Sequence, residues 1–126
     1  MENQTQNKLE KILIGDDQIW QTKSILHKQF PYINMEFAET PEETIAMASA
    51  SKYDAVITDL NYTDNGQEGY NVLSALKGKY NVLVLWTSDA YEPGIKEKAL
   101  SLGATHILDK CELGKILNNC KEVSEK

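Results

Sequence analysis

The sequence predicts a doubly wound α/β domain, a five-stranded parallel sheet with helices on both faces. Three observations carry this. Short apolar runs alternate with amphipathic helical segments, β then α, five times along the chain. The runs around Val56 and Val84 are apolar almost throughout, as strands covered on both faces must be. Acids, hydroxyls and a lysine close the runs, at the strand ends where ligands gather in open parallel sheets.

The elements follow in order. Residues 1–8 are polar and read as a flexible tail. Leu9 to Ile14 is too short for a helix and predicts the first strand, closed by Gly15, Asp16 and Asp17. Ile19, Trp20, Ile25, Leu26 and Phe30 mark an amphipathic helix over Gln18 to Phe30, and Pro31 stops it. Tyr32 to Ala38 alternates Ile33, Met35 and Phe37 with Asn34 and Glu36, the pattern of a half-buried strand. Thr40 before Pro41, Glu42 and Glu43 is a helix start, with Thr40 as N-cap and Pro41 at the first helical position. That helix is expected to run to Ser51.

Asp54 to Leu60 is the third strand, and Asn61 to Glu68 a polar loop with an Asn-Gly turn signal. Val72, Leu73 and Leu76 give the buried side of a helix from Gly69 to Lys77, closed by Gly78. Val82 to Trp86 is the most apolar strand and is expected to be a central one. Pro93 to Leu102 is a helix stopped by Gly103, and Thr105 to Leu108 the last strand. The last helix spans Glu112 to Glu122, with Leu113, Ile116, Leu117 and Cys120 as its stripe, and 123–126 is a tail. Alternation of this kind implies a parallel sheet with right-handed crossovers. The common five-strand order is 2-1-3-4-5, the flavodoxin-like (βα)5 arrangement. The expectation is one domain over 9–122, with no second domain.

Composition narrows the function classes. The chain has 126 residues, 41% apolar, 25% charged, and a formal net charge of −6. An acidic surface disfavours direct nucleic-acid binding and offers no basic membrane anchor. Two cysteines, Cys111 and Cys120, make no disulfide framework and read as reduced thiols. No apolar signal core or membrane span is present in the sequence, so the expected location is cytoplasmic.

In the 2-1-3-4-5 order the first and third strands are neighbours, so Asp16, Asp17 and Asp59 converge. Two unit charges about 4 Å apart interact with about 4 kcal/mol at an effective dielectric near about 20, so a cation or protons must relieve the cluster. Hard oxygen ligands of this kind suit Mg2+, with Mn2+ as a substitute. Lys110 adds a positive charge and Thr87 a hydroxyl donor. The set describes a site for forming a carboxylate–phosphate anhydride with one aspartate as nucleophile.

With these residues in view, the chain resembles the receiver domain of two-component response regulators, most closely the stand-alone chemotaxis type. The resemblance covers about Lys11 to Cys120. It is carried by Ile12 to Asp17, Asp54 to Leu60, Leu85 to Ser88, and Gly103 to Lys110. It implies that Asp59 accepts a phosphoryl group from a histidine kinase or phosphotransfer protein. It implies direct Mg2+ ligation by Asp17, Asp59 and the backbone carbonyl of Asn61, with Asp16 acting through a water. Lys110 would pair with Asp59 and then with the phosphoryl oxygens, and Thr87 would hydrogen-bond the phosphoryl group. With no output domain expected after the last helix, the message would pass to an unspecified downstream protein by contact, from a monomer or weak dimer.

Four departures from the family pattern stand out. Cys111 follows Lys110 where a cis proline is usual. A cis bond without proline costs about 2.5–4 kcal/mol, so a trans bond and a shifted Lys110 are expected. Ile107 takes the place of the switch aromatic, with Trp86 or Tyr91 as candidate replacements. The loop after Asp59 lacks Met-Pro, is longer before Gly69, and adds Asp64, read as a solvated turn residue. The segment after Thr87 is about one residue longer, which makes Ser88 an alternative switch hydroxyl, with Thr87 preferred. The family's lifetime-tuning positions hold Asn61 and Asp89, polar residues that position a hydrolytic water and predict a short-lived phosphoryl group.

Competing readings are a degenerate receiver that acts only by contact, an Mg-dependent phosphatase with an aspartate nucleophile, and a flavin or nucleotide carrier. The phosphatase lacks its second acid, since Asn61 stands there. The carrier needs a phosphate cradle after the first strand, where Asp16 and Asp17 stand instead. Apart from phosphoryl transfer to and from its own aspartate, the chain is not expected to be an enzyme.

Overall fold

The computed structural model describes residues 11–31, 33–63 and 66–110. Among these residues five strands, β1 (Lys11–Gly15), β2 (Asn34–Ala38), β3 (Ala55–Asp59), β4 (Leu83–Trp86) and β5 (His106–Leu108), alternate with four helices. The helices are α1 (Ile19–Gln29), α2 (Pro41–Ala50), α3 (Glu68–Leu76) and α4 (Ile95–Ser101). All strand pairs are parallel, and the order is β2-β1-β3-β4-β5, as the alternation predicted. The expected last helix, both tails, Cys111, Cys120 and Asp64 lie outside the described residues. Among the described residues, no helix is long and apolar enough to cross a membrane.

The middle strand is β3, as the expected order 2-1-3-4-5 requires, and the apolar β4 lies beside it inside the sheet. All five residues of β3 are buried, including Thr58 and Asp59. The two polar residues lowered the hydropathy of the run, yet both find hydrogen-bond partners at its carboxyl end. Strand β4 is fully buried too, one place in from the β5 edge.

Side-chain alternation along the strands divides the core into two layers. Ile12, Ile14, Ala55, Ile57, Val84 and Trp86 pack with Leu26 and Phe30 of the α1 segment. Leu13, Val56, Leu83 and Leu85 face the other way, onto Ala48, Val72, Leu73, Leu76 and Ala99 of α2, α3 and α4. Each buried leucine or valine contributes roughly 1.5–3 kcal/mol over exposure, so the two layers hold the sheet from both sides.

Local signals set the helix ends. The Thr40 hydroxyl accepts the Glu43 N–H at 3.0 Å, and Thr40 is extended at φ −126°, ψ 158°. This is the expected N-cap. Helices α3 and α4 end just before Gly78 and Gly103, the glycines that marked their stops. Helix α4 starts at Ile95 instead of Pro93, because Gly94 adopts a left-handed φ of 86° that no helix can continue.

Candidate phosphoacceptor and metal site

Strand register builds the site. Gly15 pairs with Thr58, Asp59 with Trp86, and Trp86 with Leu108. The residue after Gly15 is Asp16, so Asp16, Asp59 and Trp86 stand in a row across the carboxyl end of the sheet. Oxygens of Asp16, Asp17 and Asp59 lie within 4.8 Å of one another. Asp16 and Asp59 are buried and Asp17 is exposed, so the cluster opens to solvent on the Asp17 side.

Lys110 closes the other side. Its Nζ lies 3.0 Å from Asp16 Oδ2 and 3.4 Å from Asp59 Oδ2. The lysine therefore reaches the acids from the end of β5, although Cys111 follows it; the Lys110–Cys111 bond involves a residue outside the described ones. Asp16 Oδ1 also accepts the Gln18 N–H at 2.8 Å, so it steadies the start of α1 as well as facing the cluster. Asn61 donates its backbone N–H to Asp59 Oδ1 across 3.4 Å, and its side-chain amide donates to the Gly66 carbonyl.

The charges are unevenly relieved. Burial pushes the Asp59 carboxyl up to about 6, the Lys110 ammonium pulls against it, and the Asp16 charge adds to the rise. Asp17 is also raised, by partial burial first and by Asp16 second. One lysine thus does not compensate three acids, the condition in which a divalent cation is favoured. The donor set is hard oxygen throughout, and this fits Mg2+ chemistry.

The remaining candidates divide. Thr87 is buried at the end of β4, its N–H bonded to the Leu108 carbonyl and its Oγ1 accepting the Asp89 N–H at 3.1 Å. Ser88 and Asp89 are exposed. Ile107 is half-buried and packs on the α2–α3–α4 layer. Tyr91 is 76% exposed, whereas Trp86 is buried. The sequence named Trp86 only as a replacement aromatic and did not point to Tyr62. Trp86 touches Lys110 directly: Nζ sits 4.0 Å from the ring centroid, and Nε1 donates to the Lys110 carbonyl at 3.1 Å. Beneath the site the Tyr62 hydroxyl meets Thr58 Oγ1 at 2.8 Å and Thr44 Oγ1 at 3.0 Å. Burial pushes that phenol up to about 12. For Trp86 the available signal was its place opposite Asp59; for Tyr62, no sequence signal tied it to Thr44.

No protein-family model matches the sequence, and no curated protein matches it. Solved structures do match. The chemotaxis response regulator CheY4 of Vibrio cholerae is 24% identical over 92% of this chain and 99% of its own, with TM-score 0.71. The N-terminal domain of a response regulator/sensory box/GGDEF protein from Carboxydothermus hydrogenoformans is 25% identical over 91% and 93%, with TM-score 0.69. A Burkholderia pseudomallei response regulator, solved with a phosphorylated aspartic acid and a calcium ion, is 18% identical over 92% and 71%, with TM-score 0.70. With its five parallel strands in the same order, the chain has the fold of a response-regulator receiver domain.

Proposed function

We propose that the chain is a phosphorylation switch in which Asp59 accepts a phosphoryl group from a phosphohistidine donor, a histidine kinase or phosphotransfer protein. The observation that carries this reading is the convergence of Asp16, Asp17 and Asp59 within 4.8 Å, closed by the Lys110 ammonium. Asp17, Asp59 and the Asn61 carbonyl would hold Mg2+, with Asp16 acting through water. The metal, when bound, neutralises charge on the transferring group.

The chain's own residues do the rest. An Asp59 oxygen attacks phosphorus as the bond from phosphorus to the donor nitrogen breaks. Lys110 already lies at Asp59 Oδ2 and moves with the new negative charge. Thr87, whose oxygen accepts the Asp89 N–H, still has its own O–H to donate to the phosphoryl group. Water near Asn61 and Asp89 reverses the modification. The domain, taken as 9–122, would signal in the cytoplasm by contact with a downstream protein, since an acyl phosphate adds nearly two charges and strong acceptors at one sheet end. The phosphorylated aspartate and calcium of the Burkholderia structure support the same chemistry here.

The test is incubation with Mg2+ and acetyl phosphate followed by intact mass. Wild type gains one phosphoryl group and Asp59→Asn gains none. A wild type that gains nothing overturns the switch and leaves a domain that acts by contact alone.

A further inference from the structure

We infer that Trp86 is a positioning residue for Lys110, holding the lysine at both ends, its backbone carbonyl by the indole N–H and its ammonium by the indole face. Four observations converge. Trp86 pairs with Asp59 on one side and Leu108 on the other, so its side chain shares a sheet face with the acceptor. It is 4% exposed, which fixes the ring. Its Nε1 donates to the Lys110 carbonyl at 3.1 Å, satisfying a buried indole that must find an acceptor. Lys110 Nζ lies 4.0 Å from the ring centroid while also 3.0 Å from Asp16 and 3.4 Å from Asp59.

The physical need is plain. Lysine is a point charge on a flexible stem, and this one stands two residues beyond the short strand β5. Two carboxylates attract the ammonium but do not determine the path of the stem. A flat, electron-rich wall beside the path does, and a cation over an indole is attracted to it. A leucine at position 86 would keep an apolar side chain there, although a smaller one, and offer neither a donor nor a ring face.

The functional arm of the test rests on Asp59 being the phosphoryl acceptor; the spectroscopic arm does not. The full chain is prepared as wild type, Trp86→Leu, Trp86→Phe, Lys110→Met and the double variant Trp86→Leu/Lys110→Met. The Lys110 ε-methylene NMR signal, assigned by its loss in Lys110→Met, is expected upfield of free lysine because of the indole ring current. It returns to the free position in Trp86→Leu and keeps part of the shift in Trp86→Phe. Acetyl phosphate labelling at saturating Mg2+ is expected to slow on the order of three- to tenfold in Trp86→Leu, with partial rescue in Trp86→Phe. In the Lys110→Met background, Trp86→Leu slows labelling no further, because the indole acts through the lysine; a packing role alone would slow both backgrounds equally.

A free-lysine shift in the wild type, or equal slowing in the two backgrounds, overturns the inference. Should wild type take no phosphoryl group, the acceptor reading fails and the methylene shift alone decides the role of Trp86. Should Trp86→Leu fail to fold, Trp86→Phe carries both readouts, with an intermediate shift and an intermediate rate expected.

Discussion

Asp59 is a carboxylate kept from water. It is 6% exposed, and its carboxyl is pushed up to about 6 by burial, against the pull of Lys110. The sign follows from linkage. The protonated form is favoured by folding, so its contribution to stability is full below about 3.8 and is lost as pH rises through about 6. At pH 7.5 the folded state carries this strained charge, and Asp59→Asn removes it. The variant is therefore expected to be more stable than wild type at pH 7.5, by on the order of 2 kcal/mol. The gain shrinks toward zero by about pH 4. Denaturant melts at the two pH values check this; an advantage independent of pH would assign the effect to something other than the Asp59 charge. On the proposed acceptor role of Asp59, the same titration would limit the chemistry, because only a carboxylate attacks phosphorus. Labelling by acetyl phosphate is expected to fall as pH drops below about 6.

The elements place these groups by close approach at their ends. A side chain on Gly69 would run into the Asp59 carbonyl and Leu60 Cα, and Gly69 donates its N–H to the Leu60 carbonyl at 2.8 Å. Helix α3 thus begins against the end of β3 itself. Gly69→Ala must push them apart, at about 1–3 kcal/mol of stability, and it is expected to slow phosphoryl labelling by displacing Asp59. Tyr62→Phe is a milder probe of the same loop. Thr44 keeps its bond to the Thr40 carbonyl and Thr58 its bond to the Asp59 carbonyl, so the loss is about 1 kcal/mol, read as a lower unfolding midpoint. These contacts explain what the sequence made legible. Period-two and helical patterns, the Thr40-Pro41 start and the terminal glycines gave the elements and their order, because each is set by local chemistry. The acids and Lys110 could be read because strand order alone brings strand ends together. The middle place of β3 follows from the strand order, although apolarity alone underrates a strand that buries Thr58 and Asp59 with partners. The contacts of Trp86 with Lys110, and of Tyr62 with Thr44 and Thr58, depend on side-chain directions between distant segments, which no local pattern encodes.

Across the whole molecule, an acidic chain of net charge −6 gathers three carboxylates at one end of its sheet, with Lys110 as the counter-charge paired to two of them, Asp16 and Asp59. A cation that binds this cluster in the folded chain, and finds no such cluster in the unfolded one, stabilises the fold by mass action. At a hundredfold excess over its dissociation constant the gain is about 2.7 kcal/mol. For a chain of this size, each kcal/mol moves the thermal midpoint by about 3–6 °C. Saturating Mg2+ is therefore expected to raise the midpoint clearly. NaCl at equal ionic strength reproduces only the screening of surface charge and should do much less. Asp17→Asn removes the exposed, solvent-side carboxylate while leaving Asp16 and Asp59 paired with Lys110, so it should abolish most of the Mg2+ increment and keep the NaCl response. Lowering the pH below about 6 should also diminish the increment, because protons and metal compete for Asp59. Equal midpoint shifts from Mg2+ and NaCl, or an Asp17→Asn variant that responds like wild type, would mean that Lys110 alone neutralises the cluster and that no metal is held there.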